Sequence, residues 1–147
     1  MRDEVVAVGT RLVVGVTGDV DMATAPRWRA VLLGAVDRIG EPIGAPAVSL
    51  TRGRDPLRAD PADGVLWPWR RITSLVVDLT GAGFFGVAGV NLLLAVRSAA
   101  VEAGGWALVV APAGGSARRA IDACGAVERV LALPDLDAAL DQFDRAR

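Results

Sequence analysis

Apolar positions along this chain follow two alternating periods. Val5–Val8 and Leu12–Thr17 are short β-branched runs joined by Gly9-Thr10, which is a hairpin pattern. Gly18-Asp19-Val20-Asp21 reads as a turn. The spacing then changes to three and four. Trp28, Val31, Leu32, Ala35, Val36 and Ile39 lay an apolar stripe along a helix that runs to about Ile39, with Thr24 as its N-cap and Pro26 in its first turn. Further on, Ile72–Leu79 reads as a buried strand, and Val87–Ala103 as a helix with polar Asn91, Ser98 and Glu102 on one side and Gly104-Gly105 at its end. Trp106–Ala111 reads as a second buried strand. Ser116–Cys124 reads as a helix closed by Gly125, Val127–Ala132 as a short strand, and Asp135 as the N-cap of a last helix to Arg145.

The resulting order is β-β-α, then an interruption, then β-α-β-α-β-α. Such alternation predicts an α/β fold whose sheet is largely parallel and covered by helices. The interruption, Gly40–Trp69, holds five of the eight prolines: Pro42, Pro46, Pro56, Pro61 and Pro68. It reads as an insert without regular structure, and at about 30 residues it is long for a loop of a compact domain. It ends in Trp67-Pro68-Trp69, read either as packing the insert onto the domain or as an aromatic anchor for a partner.

With 147 residues, 52% of them hydrophobic, the chain is expected to form one domain with a substantial core. Its mean hydropathy of +0.40 would suit a membrane protein. No apolar run approaches the roughly 18 residues that a spanning helix needs, however, and Met1-Arg2-Asp3-Glu4 lacks the order of a signal peptide, so a cytoplasmic location is expected. A formal net charge of −1 argues against nucleic-acid binding by bulk charge. The absence of His removes the commonest general base and metal ligand, and no nucleophile–base constellation is visible, so neither catalysis nor a metal or cofactor is expected. Asp19 and Asp21 read as turn and capping residues, Ser116 as a helix N-cap, Arg118-Arg119 as a solvated helix face, and Cys124 as a buried structural thiol.

Four segments in order give the chain a resemblance to the STAS domain family (sulphate transporter and anti-sigma-factor antagonist), over about Val5–Phe143. Gly18-Asp19-Val20-Asp21-Met22-Ala23-Thr24-Ala25-Pro26 is similar to the family's turn into its first helix, and Val76-Val77-Asp78-Leu79-Thr80 to its V-hydrophobic-D-L-S/T strand. Gly104-Gly105 with Trp106–Pro112 is similar to its G-G-x-L-x-L-V-x-P strand, and Ala117–Gly125 with Val127 to its helix V-x-R-x-L-x-x-x-G-L. The resemblance implies a sheet of mixed, mainly parallel strands with helices packed mostly on one face. It also implies a regulatory partner, an anti-sigma factor with an ATPase-type kinase fold.

The chain departs from the family at the start of the helix. Phosphorylatable members carry Asp-Ser-Ser-Gly or Asp-Ser-Thr-Gly there, where this chain has Gly86-Val87-Ala88-Gly89. The acceptor position is then Ala88, which cannot be phosphorylated. The partner surface implied by the resemblance comprises Asp21, Thr24, Phe85, Gly86, Val87, Ala88, Gly89 and Asn91. Phe84-Phe85-Gly86-Val87 reads either as an apolar contact patch or, for the two rings, as core. The functional expectation is a non-catalytic binding domain of the antagonist type. The alternatives are a scaffold that pairs with other STAS domains and an accessory subunit in transport.

Overall fold

The computed structural model describes residues 2–42 and 71–145. Six strands, β1 (Arg2–Val8), β2 (Arg11–Val20), β3 (Ser74–Asp78), β4 (Ala82–Phe85), β5 (Trp106–Val110) and β6 (Ala132–Leu133), form the sheet. Among the described residues four helices accompany them: α1 (Ala25–Val36), α2 (Val87–Glu102), α3 (Ser116–Ala123) and α4 (Leu136–Arg145). The strand order is β1-β2-β3-β5-β6, with β4 also beside β2. Only β1 and β2 pair antiparallel, through the Gly9-Thr10 hairpin; the other pairings are parallel.

Strand alternation divides the core in two. Leu12, Val14 and Val16 of β2, Leu75 and Val77 of β3, and Ala107 and Val109 of β5 point to one face. There they meet Trp28 and Leu32 of α1, Leu93 and Val96 of α2, and Ile121 of α3. Val13, Val76, Leu108 and Val110 point the other way, onto Ala139 of α4. Three helices therefore cover one face and one covers the other. The central strand β3 is buried on both sides, which explains its unbroken apolar run.

Several boundaries differ from the sequence reading. β2 does not turn at Gly18 but continues to Val20. The chain after Leu79 does not pass directly into a helix; it forms β4 first. Arg11 pairs with Ser74, Gly18 with Ala82 and Val20 with Phe85, so the second chain gains one residue on β2 at each step. β3 and β4 are thus one strand line along β2, broken by bulges that raise its local twist. β6 has two residues rather than six: Val130 N–H bonds to Ala126 O and Ala132 N–H to Val127 O, and these turns consume the segment. α1 ends at Val36, three residues early, and tight turns carry the chain to Gly40. α3 stops at Ala123, which leaves Cys124 at its C-cap and exposed rather than buried.

Most of the proline-rich insert, with Trp67-Pro68-Trp69, lies outside the described residues. Its neck lies within them. Pro42 and Arg71 form an antiparallel bridge, Gly40 N–H bonds to Ile72 O at 2.7 Å, Ile72 N–H bonds to Glu41 O at 2.9 Å, and the Arg71 guanidinium donates to Gly40 O at 2.8 Å.

The start of α2 is fixed by one close approach. A Cβ on Gly89 would lie 2.7 Å from the Phe85 ring, which is buried among Val16, Val20, Trp28 and Leu79 and has nowhere to go. In a free helix Gly→Ala stabilises by about 1 kcal/mol. Here overpacking reverses the sign, and Gly89→Ala is expected to destabilise by about 1–3 kcal/mol. A lower urea midpoint with an unchanged m-value would show this; a raised midpoint would contradict it.

Candidate functional site

The segment from Asp19 to Thr24 is held by its own side chains. The Asp21 carboxylate accepts the N–H groups of Ala23 and Thr24, each at 2.9 Å, while Asp21 N–H donates to the Thr24 hydroxyl at 3.0 Å. That hydroxyl donates to Asp19 O at 2.9 Å and lies 3.2 Å from the Asp21 carboxylate. This reciprocal arrangement has the form of a capping box. It closes the turn before α1 rather than capping the helix itself: Thr24 stands at the N-cap of α1, and its side chain makes no cap bond there. The Thr24 N–H above all, helped by the Ala23 N–H and the Thr24 hydroxyl, stabilises the charged carboxylate. Together they hold the Asp21 pKa below its ordinary 3.8 against the opposing pull of desolvation.

Facing this loop is the tip of α2. Its N-cap is Gly86, which has no side chain to cap with, and its first turn holds no acidic residue. Because β4 is extended, Phe84 and Phe85 point in opposite directions. Phe85 is 5% exposed and belongs to the core; Phe84 is 59% exposed. Phe85, expected at the partner surface, thus lies in the core, and of the two rings Phe84 is the one at the surface. Gly89, expected there too, is buried beneath the Phe85 ring.

Between loop and tip lies an open groove of about 560 Å³ lined by Asp21, Met22, Ala23, Phe84, Gly86, Val87, Ala88 and Asn91. The structure thus brings together Asp21, Gly86, Val87, Ala88 and Asn91 from the expected set. Asn91 follows Val87 by one helical turn and shares its face. Thr24, Phe85 and Gly89 stand outside the lining. Met22 and Ala23 were not expected, and Phe84, read either as contact patch or as core, lines the groove. Adjacent rings in an extended segment point to opposite sides, but only the fold shows which side is covered. Met22 and Val87 are 85% and 64% exposed, so with Phe84 they give the groove an apolar rim.

The other candidates fall elsewhere. Ser116 is not the N-cap of α3; Gly115 is, and the Ser116 hydroxyl donates to the Gly83 carbonyl. Arg118 pairs with Asp122 at 3.2 Å, and Arg119 is exposed. Asp19 does not join Asp21 in a metal site; its carboxylate accepts the Phe84 N–H at 2.8 Å. Among the described residues no group of acidic or Cys side chains could hold a metal ion, and no helix is long and apolar enough to cross a membrane.

Comparison with known proteins places the fold in a family. A family model described as the STAS domain matches residues 3–139. The crystal structure of an anti-sigma factor antagonist from Mycobacterium paratuberculosis is similar, with a TM-score of 0.65 and 26% identity over 96% of this chain and 92% of that one. SpoIIAA, an anti-sigma factor antagonist in its unphosphorylated form, shares the fold at a TM-score of 0.61 and 12% identity, covering 99% of this chain and 98% of that one. The murine anion transporter Slc26a9 shares it at a TM-score of 0.57 and 16% identity, over 95% of this chain but only 18% of the transporter. No curated protein sequence matches.

Two outcomes follow from the site's construction. Phe85→Ala should cost about 3–5 kcal/mol as a buried aromatic truncation, while Phe84→Ala should stay within about 0.5 kcal/mol; urea unfolding of both variants compares them directly. The Asp21 carboxylate has a folded pKa below its unfolded value, so its stabilisation is fully present above about pH 5 and is lost as pH falls below 3.8 and through the folded pKa. The difference in urea midpoint between wild type and Asp21→Asn should therefore be constant from pH 7 to 5 and shrink toward pH 2. A difference that grows on acidification would refute the assignment.

Proposed function

The chain belongs to the STAS domain family, and we propose that within it this protein is a non-catalytic regulatory module of the anti-sigma-factor-antagonist type. Its partner on this reading is an anti-sigma factor with an ATPase-type kinase fold, docked on the groove between residues 21–23 and the tip of α2. The observation that carries the reading is the rim of Met22, Phe84 and Val87. Three large apolar side chains left in water around one concave site suit a protein interface, where burial on association recovers the free energy that exposure forgoes. The likeness to an anti-sigma factor antagonist along nearly the whole chain supports the same class.

The proposal extends to control. A phosphoserine at a helix N-terminus adds about −1.5 to −2 charges, which the helix dipole accommodates and an acidic partner does not. Ala88 stands where phosphorylatable members carry the acceptor, so this tip stays uncharged and the docking surface is permanently available. A scaffold reading has one observation in its favour. β1 is an edge strand with Val5, Val6 and Val8 partly exposed, and such an edge can pair with another chain. Light scattering that finds stable oligomers would favour that reading over the antagonist.

The direct test is calorimetric titration of the full chain against each ATPase-fold anti-sigma factor encoded in the same genome. At least one is expected to bind, and Val87→Asp should weaken that binding tenfold or more with no change in Tm. With ATP the same partner should leave wild type unmodified and phosphorylate the Gly86→Asp, Ala88→Ser double variant. Absence of binding to every such factor would sink the proposal.

A further inference from the structure

The geometry points to Asp19 and Ser116 as positioning residues that clamp the Gly83–Phe84 peptide group from its two ends and so set the pose of the Phe84 ring at the groove. The functional weight of this inference rests on the groove being the docking surface proposed above. The clamp itself stands on separate observations.

The first is where this peptide sits. β4 pairs with β2 at Gly18↔Ala82 and Val20↔Phe85, and the register shifts between them. Gly83 and Phe84 occupy the shift, so the ladder assigns them no pairing partner. The second is what takes the ladder's place. Asp19 of β2 accepts the Phe84 N–H at 2.8 Å, and Ser116 of α3 donates its hydroxyl to the Gly83 carbonyl. These two groups belong to one peptide plane. Held at a single end, the plane could still swing about the flanking torsions; held at both ends by side chains from different elements, it cannot. The third is the residue between them. A Cβ on Gly83 would lie 2.5 Å from the Asp19 carboxylate oxygen, so a side chain there would push that carboxylate away from its place on the peptide.

The clamp matters because packing holds Phe84 far less than it holds Phe85: the Phe84 ring only lies over Gly86. A core ring such as Phe85 is oriented by its packing, whereas Phe84 is largely exposed and must take its direction from its backbone. Since Ser116 opens α3, the clamp also ties the groove wall to a helix that contributes no residue to the groove lining.

The experiment labels the full chain with 4-fluorophenylalanine. Its three phenylalanines give three fluorine resonances, and Phe84→Leu identifies the one from Phe84. Asp19→Ala, Ser116→Ala and Gly83→Ala should each shift or broaden the Phe84 resonance and speed exchange of the Phe84 amide at least tenfold, leaving the Phe85 resonance in place. Asp19→Asn keeps an acceptor and Ser116→Thr keeps a donor, so both should restore the wild-type resonance. An unmoved Phe84 resonance in the alanine variants, failure of these conservative variants to rescue, or joint movement of Phe85 would each overturn the clamp. Titrating the same variants with the ATPase-fold anti-sigma factors separates the two ideas. A moved Phe84 with undiminished binding leaves the clamp standing and removes the groove as the docking site, while loss of binding together with a moved Phe84 supports both.

Discussion

A phenyl ring seated on a glycine sets the shape of the groove end of this molecule. Phe85 closes the core where β2, α1 and α2 converge, and Gly89 lets the first turn of α2 come down onto it. That contact fixes the point at which the chain leaves the sheet and the angle at which the helix begins. By strand alternation it also turns the preceding residue, Phe84, to the opposite side of β4, where it is exposed. The groove inherits its wall from the core.

The two sides of that groove are stabilised by different physics. The α2 side is positioned by packing, which is insensitive to pH and salt. The 19–24 side is positioned by hydrogen bonds to one carboxylate, whose charged form the loop's own N–H groups stabilise. A surface built this way is preorganised without a ligand, so association need not pay to order it. On the proposed reading, that suits a binding face with no covalent switch at the helix tip: the affinity would be set by the fixed apolar rim rather than by a charge that comes and goes.

Much of the architecture was legible in the sequence. α2 is bounded by Gly86 and Gly104 and filled with uninterrupted apolar spacing, and β3 is a plain apolar run, so both were placed within a residue or two. The failures share a cause: local chemistry that mimics punctuation. Gly18 and Asp19 carry the composition of a turn, yet Gly18 supplies a positive φ within a continuing, irregular strand, and Asp19 spends its carboxylate on a neighbouring strand. β4 escaped notice because one of its four residues is glycine and its pairing is interrupted. Within the site, the convergence of residues 21 and 86–91 followed from the family resemblance. Which phenylalanine faces out depended on β4, which the sequence reading lacked. Cys124 was misplaced because it continues the spacing of buried Ala117 and Ile121, yet it stands at the C-cap of α3, where it is exposed.

The neck formed by Gly40, Pro42, Arg71 and Ile72 has a consequence for how this chain can change. Its hydrogen bonds fix the spacing of the two chain ends, so the register of β3 owes nothing to the length of what lies between them. Closing a longer loop costs little, about 0.6 kcal/mol for each doubling. The neck is in effect a socket. Its contents can be exchanged, lengthened or decorated by evolution or by an engineer, and new specificity can be plugged in there while the sheet, the helices and the groove keep their form.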